Sequence, residues 1–365
     1  MSREFLEIES LDSFDEHLRH TRTLHGWFLQ SVDLSERGAA LSRVDPAGAV
    51  FLGCQLEPAV AEDLTRRGAL IFPRLSGVPF DPYRAGLYSA EELYDTPRYE
   101  DSLDARVYAW TRAAGPVPPL PDTLATALHD HAITDALDEV HLDSARVVGV
   151  MGGHALRRDD PAYAEAARLG RTLAERDRVV LTGGGPGAME AANLGAWFAG
   201  RAEELEQGLT ELAEVPSFQP DTGAWARVAL ELRHRHPAAG TTLSIGIPTW
   251  FYGHEPPNVF CTHIAKYFAN ALREDSLLHR CRGGLIVLPG AAGTVQEIFQ
   301  AATGNYYAAD DDQVAPMVLV GREHWTERLP AWPLLRALGE GRELGRRLHL
   351  ADTLVDAVAA LGDQP

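Results

Sequence analysis

The chain has 365 residues, of which 45% are hydrophobic and 23% charged, and a formal net charge of -19. That is the composition of a globular protein with room for two domains and a large core. So acidic a chain opposes binding to nucleic acid or to an anionic membrane, although a few local arginines can still hold one small phosphate.

The start Met1-Ser2-Arg3-Glu4 has neither the basic nor the apolar region of a signal peptide, and no run approaches the ~20 apolar residues of a membrane helix, so a cytoplasmic protein is expected. Cys54, Cys261 and Cys281 are odd in number and far apart, which points to reduced thiols rather than a disulfide framework or a zinc site. Of the 33 basic residues only Lys266 is a lysine, a skew that reads as coding bias.

In chain order, strand-like runs at 5–8, 27–34, 49–56 and 69–73 alternate with helix-like runs at 13–20 and 57–67, which predicts a small parallel α/β domain. No internal repeat or low-complexity tract is read there. Pro116, Pro118, Pro119 and Pro121 form a stiff segment unsuited to a helix interior or a central strand, so the domain boundary is placed there, giving domains 1–121 and 122–365. An amphipathic helix over 123–140 follows, then strands at 146–151, 178–182, 242–247, 284–288 and 317–320 with helical segments between them. This spacing predicts a doubly wound parallel α/β sheet, Rossmann-like, whose ligands lie beyond the carboxyl ends of the strands.

Three motifs fall at such ends: Gly152-Gly153-His154, Gly183-Gly184-Gly185-Pro186-Gly187 and Pro289-Gly290-Ala291-Ala292-Gly293-Thr294. The second satisfies GxGxxA through Ala188. The dinucleotide fingerprint also needs an acidic residue at the end of the next strand, and Glu203 and Glu204 lie in continuing helix, which argues against NAD. Glycine turns opening into helices suit a phosphate; the plainer reading is a tight turn with Pro186 starting the helix. In the third motif, Thr294 and Glu297 either offer a hydroxyl and a carboxylate to a ligand or form a capping box, and spacing leaves both open.

Other residues carry weaker signals. Lys266 in His263-Ile264-Ala265-Lys266-Tyr267 is read as a solvated helix lysine, against a Schiff-base role with pyridoxal phosphate. Arg157 and Arg158 before Asp159 and Asp160 are read as a neutralised surface loop rather than a phosphate clamp, and His234-x-His236 as helix surface rather than a metal site. Trp250-Phe251-Tyr252 either stacks on a base or packs in the core. Glu255 and Asn258, on the loop that follows, are placed to read a base edge.

The run from Pro289 to Glu297 resembles the PGGxGTxxE motif of the Lonely Guy family, nucleoside monophosphate phosphoribohydrolases often mislabelled lysine decarboxylases. Gly152-Gly153-His154, Gly183-Gly184-Gly185-Pro186-Gly187-Ala188-Met189-Glu190 and Glu255-Pro256-Pro257-Asn258 are similar to the larger bacterial nucleotide nucleosidases of that group. The resemblance covers roughly 140–325 and leaves out the first domain, which is expected to regulate or to build an oligomer.

It implies hydrolysis of nucleoside 5'-monophosphates to free base and ribose 5-phosphate, with Glu297 and Arg273 catalytic. It further implies that Gly153, His154, Gly184, Gly185, Gly187, Met189, Glu190, Asn258, Gly290, Ala291, Gly293 and Thr294 hold substrate and phosphate. No metal or redox cofactor is expected, and a homodimer or higher homo-oligomer is. Arg273 lies one residue further from Pro289 than the family's spacing. Ala291 replaces the second motif glycine, a change that matters if that position needs a positive φ or a very close approach of the phosphate. The alternative is a nucleotide sensor or carrier without chemistry.

Overall fold

A computed structural model describes residues 6–115, 117–238, 242–251 and 255–362. Phe5, Pro116 and Tyr252, all part of expectations above, lie outside the described residues. Contacts divide the chain into two compact units, 6–86 with 114–136 and 87–113 with 137–362.

In the first unit, β1 (Leu6–Ile8), β2 (Trp27–Gln30), β3 (Val50–Leu52) and β4 (Leu70–Phe72) form a four-stranded parallel sheet in the order β1-β2-β3-β4. Ile8, Leu29, Phe51 and Ile71 stand in one register row. Helices Leu11–Leu18, Gly38–Leu41 and Pro58–Arg66 connect the strands and bury Phe14, Leu41 and Leu64 beneath that row. Helix starts are locally encoded: the Ser10 side chain accepts from the Ser13 N–H, and Pro58 opens its helix where a missing N–H costs nothing.

The expectation of no internal repeat needs correction. Strands starting at residues 6, 27, 50 and 70 recur at roughly twenty-residue intervals, the spacing of stacked repeat units. The repeat escapes a sequence reading because its apolar residues vary. Its constant mark is a column of Gly26, Gly48 and Gly68, linked by N–H···O bonds from Gly26 to Gly48 and from Gly48 to Gly68.

The second unit holds a seven-stranded sheet built from β5 (Val147–Met151), β6 (Val179–Thr182), β7 (Ser244–Gly246), β8 (His263–Ile264), β9 (Gly284–Val287), β10 (Met317–Val320) and β11 (Leu348–Ala351). All pairings are parallel and the order is β11-β10-β9-β5-β6-β7-β8, the Rossmann-like doubly wound arrangement. Helices cover both faces, so the inner strands are buried on both sides and read as unbroken apolar runs such as Val147-Val148-Gly149-Val150-Met151. The order reverses between β5 and β9, which opens a crevice at their carboxyl ends.

Segment 87–113 does not follow the boundary expected at the prolines. Tyr88 forms an antiparallel bridge with Ile264, and Asp104 pairs with Lys266, so the segment packs with residues far along the chain. Chain order assigned it to the first domain; contact assigns it to the second. No helix among the described residues is long and apolar enough to cross a membrane.

Candidate active site

The three glycine motifs meet at the carboxyl ends of β5, β6 and β9, on the crevice where strand order reverses. The Gly153 N–H donates to the Pro289 carbonyl at 3.1 Å, and the Ala188 N–H donates to the Gly153 carbonyl at 3.1 Å, so the turns are tied to one another. Gly187 has φ +72°, and a Cβ there would stand 2.5 Å from the Gly153 oxygen. Gly184 has φ +69°, with Pro248 closing the space a Cβ would need at 2.7 Å. Only glycine fits either place.

Beyond β9, helix Ala292–Tyr306 starts with no side-chain cap, and Ala291, Ala292 and Gly293 are exposed at its amino end. Ala291 has φ -123° and ψ -147°, so alanine stands there without strain. Gly290 must stay small because a Cβ would lie 2.1 Å from Thr294 Oγ1, packed directly below it. A capping box is absent: Thr294 lies inside the first turn, and the Glu297 carboxylate turns elsewhere.

It turns to Arg273. Helix Asn270–Arg280 carries this arginine to two strand ends and a neighbouring helix, where Nε donates to the Ile247 carbonyl at 2.7 Å, Nη2 to the Gly183 carbonyl at 3.4 Å and Nη1 to Glu297 Oε1 at 3.2 Å. Both side chains are nearly buried. Burial raises the Glu297 pKa; the Arg273 charge and hydrogen bond oppose that rise, while the charges of Glu274 and Glu255 add to it. A carboxylate held by one bond, with its proton affinity raised, can take a proton from water and face a developing cation. Glu274, which the sequence reading passed over, is held by Asn270 Nδ2 at 2.7 Å and Gln296 Nε2 at 2.5 Å and lies 3.9 Å from Arg273.

Several expected site residues stand apart from this geometry. Glu190 is 1% exposed and accepts from Arg158 Nη2 at 2.5 Å and Nε at 3.0 Å; the Arg158 guanidinium lies 4.5 Å from the centre of the Trp225 ring. Both corrections have one cause. An internal pair saturates Glu190, expected at the substrate, and removes Arg158 from the surface loop; Arg157 alone stays exposed, paired with Asp159.

Asn258, expected to read a base, is fully buried and works on the protein instead. Its Nδ2 donates to the Gly185 carbonyl at 3.1 Å and to Asn193 at 3.0 Å, and its N–H donates to the Gly184 carbonyl at 2.9 Å. Met189 is buried under the same turn, its sulfur 2.7 Å from where a Gly183 Cβ would stand. Lys266 is neither solvated nor helical: it is 1% exposed, and Nζ donates to Asp104 at 2.5 Å. Burial lowers its pKa, opposed by the Asp104 charge. Trp250 is core, while Phe251 is exposed. His154 is half exposed, its Nδ1 at 3.1 Å from Glu255 Oε1.

A model of the SLOG cluster4 family matches residues 145–202, the stretch holding β5, β6 and the first two glycine turns. Pyrimidine/purine nucleotide 5'-monophosphate nucleosidases of Escherichia coli strains K12 and O157:H7 are 25% identical over 184 residues, 49% of this chain and 32% of theirs. Over these stretches the chain is similar to the SLOG cluster4 family and to those nucleosidases. The matched region spans about a third of the curated relatives' length. Among solved structures, the molybdenum cofactor binding protein of Rippkaea orientalis overlaps this chain at 19% identity and TM-score 0.34, over 58% of this chain and 92% of that one. The molybdenum cofactor carrier protein of Chlamydomonas reinhardtii does so at 17% and 0.34, over 59% and 94%. Overlaps this loose carry no argument about ligands.

Proposed function

We propose that this chain hydrolyses the N-glycosidic bond of nucleoside 5'-monophosphates, releasing free base and ribose 5-phosphate. The observation that carries the reading is the buried Arg273–Glu297 pair beside the crevice of glycine turns. The 5'-phosphate takes the exposed helix start at Ala291, Ala292 and Gly293, together with Gly290 and the Thr294 hydroxyl, where unpaired N–H groups and the helix dipole favour an anion. Gly153, His154, Gly185 and Gly187 line the neighbouring turns.

With the phosphate anchored there, Glu297 stands toward the sugar. The bond from C1' to the base nitrogen breaks with its electron pair leaving on the base, and the positive charge that grows on the ribose is stabilised by the carboxylate. Glu297 takes a proton from water as the water oxygen bonds to C1'; the departing base takes a proton from solvent, and Glu297 then releases its own there, so that one water is consumed and the carboxylate is restored. Arg273 positions the carboxylate and favours its ionised form against burial. The name of the curated relatives supports the same substrate class.

The test is a panel of mononucleotides incubated with the protein, base release being followed by chromatography. Turnover that falls roughly 100- to 10,000-fold in Glu297→Gln is expected. Equal turnover in the variant removes Glu297 from the reaction, and binding without turnover of any nucleotide favours a carrier.

A further inference from the structure

Glu255 is partly exposed and takes no direct part in the bond breaking described above, and its setting is built rather than accidental. Its Oε1 lies 3.1 Å from His154 Nδ1, while Oε2 lies against the Gly185 turn, 3.5 Å from where a Cβ on that glycine would stand. The side chain keeps 33% of its exposure. Trp250 before it in sequence, and Pro257 and Asn258 after it, are pinned within the same unit. Trp250 Nε1 donates to Asp104 at 2.8 Å, an aspartate that also accepts from Lys266 at 2.5 Å and Tyr99 Oη at 2.8 Å. The Pro257 carbonyl accepts from Tyr94 Oη at 2.6 Å, and Asn258 is locked to Gly184 and Gly185. A carboxylate supported in this way is oriented before any ligand arrives.

Sheet order sets what it meets. The phosphate-binding helix start follows β9, the order runs β9-β5-β6-β7, and Glu255 belongs to the connection after β7. A mononucleotide with its phosphate at β9 and its C1' near Glu297 extends its base toward β7. An ionised carboxylate only accepts hydrogen bonds, so it attracts an exocyclic amino group and repels a carbonyl oxygen in the same place.

We propose that Glu255, oriented by His154, selects nucleotides whose base carries an amino group at the edge where others carry an oxo group: adenine over hypoxanthine and cytosine over uracil. This rests on the hydrolase reading for the placement of the base.

The experiment measures kcat/KM and equilibrium binding of the full chain for AMP against IMP and CMP against UMP, with ribose 5-phosphate as a ligand lacking a base. A preference of ~10-fold or more for the amino member of each pair is expected, from the usual worth of a hydrogen bond to a charged group. Glu255→Gln, whose amide both donates and accepts, is expected to bring each ratio within ~3-fold while ribose 5-phosphate binds as before. His154→Gln, a milder change at the same contact, is expected to narrow the ratio part-way and serves if Glu255→Gln fails to fold.

Cleavage without discrimination, or discrimination unchanged in the variants, overturns this proposal and leaves the hydrolase reading standing. Binding that discriminates with no cleavage overturns the hydrolase reading and supports the base-reading role. Failure of every nucleotide to bind overturns both.

Discussion

Two buried arginine–glutamate pairs sit in the same unit and differ in what they leave unsatisfied. Arg158 meets Glu190 through two hydrogen bonds, lies over Trp225 and donates to the Trp225 carbonyl at 3.1 Å; both side chains are about 1% exposed. Arg273 meets Glu297 through one hydrogen bond at 3.2 Å and spends its other donors on the strand ends at Ile247 and Gly183. The first pair is closed and the second is poised. A carboxylate whose lone pairs are filled by a guanidinium fork stabilises the place it occupies, whereas one held by a single bond keeps an oxygen for water or substrate. Residue type is the same in the two and both are largely buried, the second pair less completely; the bonding geometry is what differs.

The sharpest break of that comparison is substitution of the two glutamate environments in parallel. Glu297→Gln is expected to lose turnover by the factor given above with little change in unfolding free energy, since it removes a charge that burial already disfavours. Arg158→Met is expected to do the reverse, costing about 3 to 5 kcal/mol in urea unfolding by leaving Glu190 buried without its partner. A stability loss in the first and a turnover loss per folded molecule in the second would exchange the roles assigned here.

A smaller effect tests the electrostatics. If Glu297 must be ionised to accept a proton, kcat/KM falls as pH drops through its pKa, and burial places that limb above the ordinary carboxylate range. Because Arg273 opposes the rise, Arg273→Met is expected to move the limb to still higher pH in a pH–rate profile. A limb that stays in place separates Arg273 from the titrating group. The smallest effect concerns the anion: Thr294→Val is expected to weaken mononucleotide binding by roughly 1 to 2 kcal/mol in calorimetric titration through one lost hydrogen bond, and unchanged affinity counts against a phosphate at this turn.

Much of the second unit was legible because its signals are local. Apolar β-branched runs at 146–151, 178–182 and 284–288 read as buried strands, and each lies over an observed one. Glycine at 184 and 187 announced turns that other residues cannot make, and both have positive φ. The two-residue β8 and the late β11 went unread, one too short and the other beyond the last clear period. The repeat in the first unit was hidden because its register is carried by three glycines some twenty residues apart rather than by a shared apolar pattern.

Side-chain partners were the least legible. Lys266 looked like an ordinary solvated lysine, and its partner Asp104 is 162 residues away in sequence; Arg158 and Glu190 are 32 apart, and Arg273 and Glu297 are 24 apart. From its amino acids alone this protein declared a parallel α/β sheet with glycine turns at the strand ends, because strand periodicity and the permissive backbone of glycine act over a few neighbouring residues. Only the folded arrangement decided which acids are closed and which are poised, and that segment 87–113 joins the second unit. Those outcomes depend on hydrogen bonds and desolvation between groups that come together only when the strands have found their order.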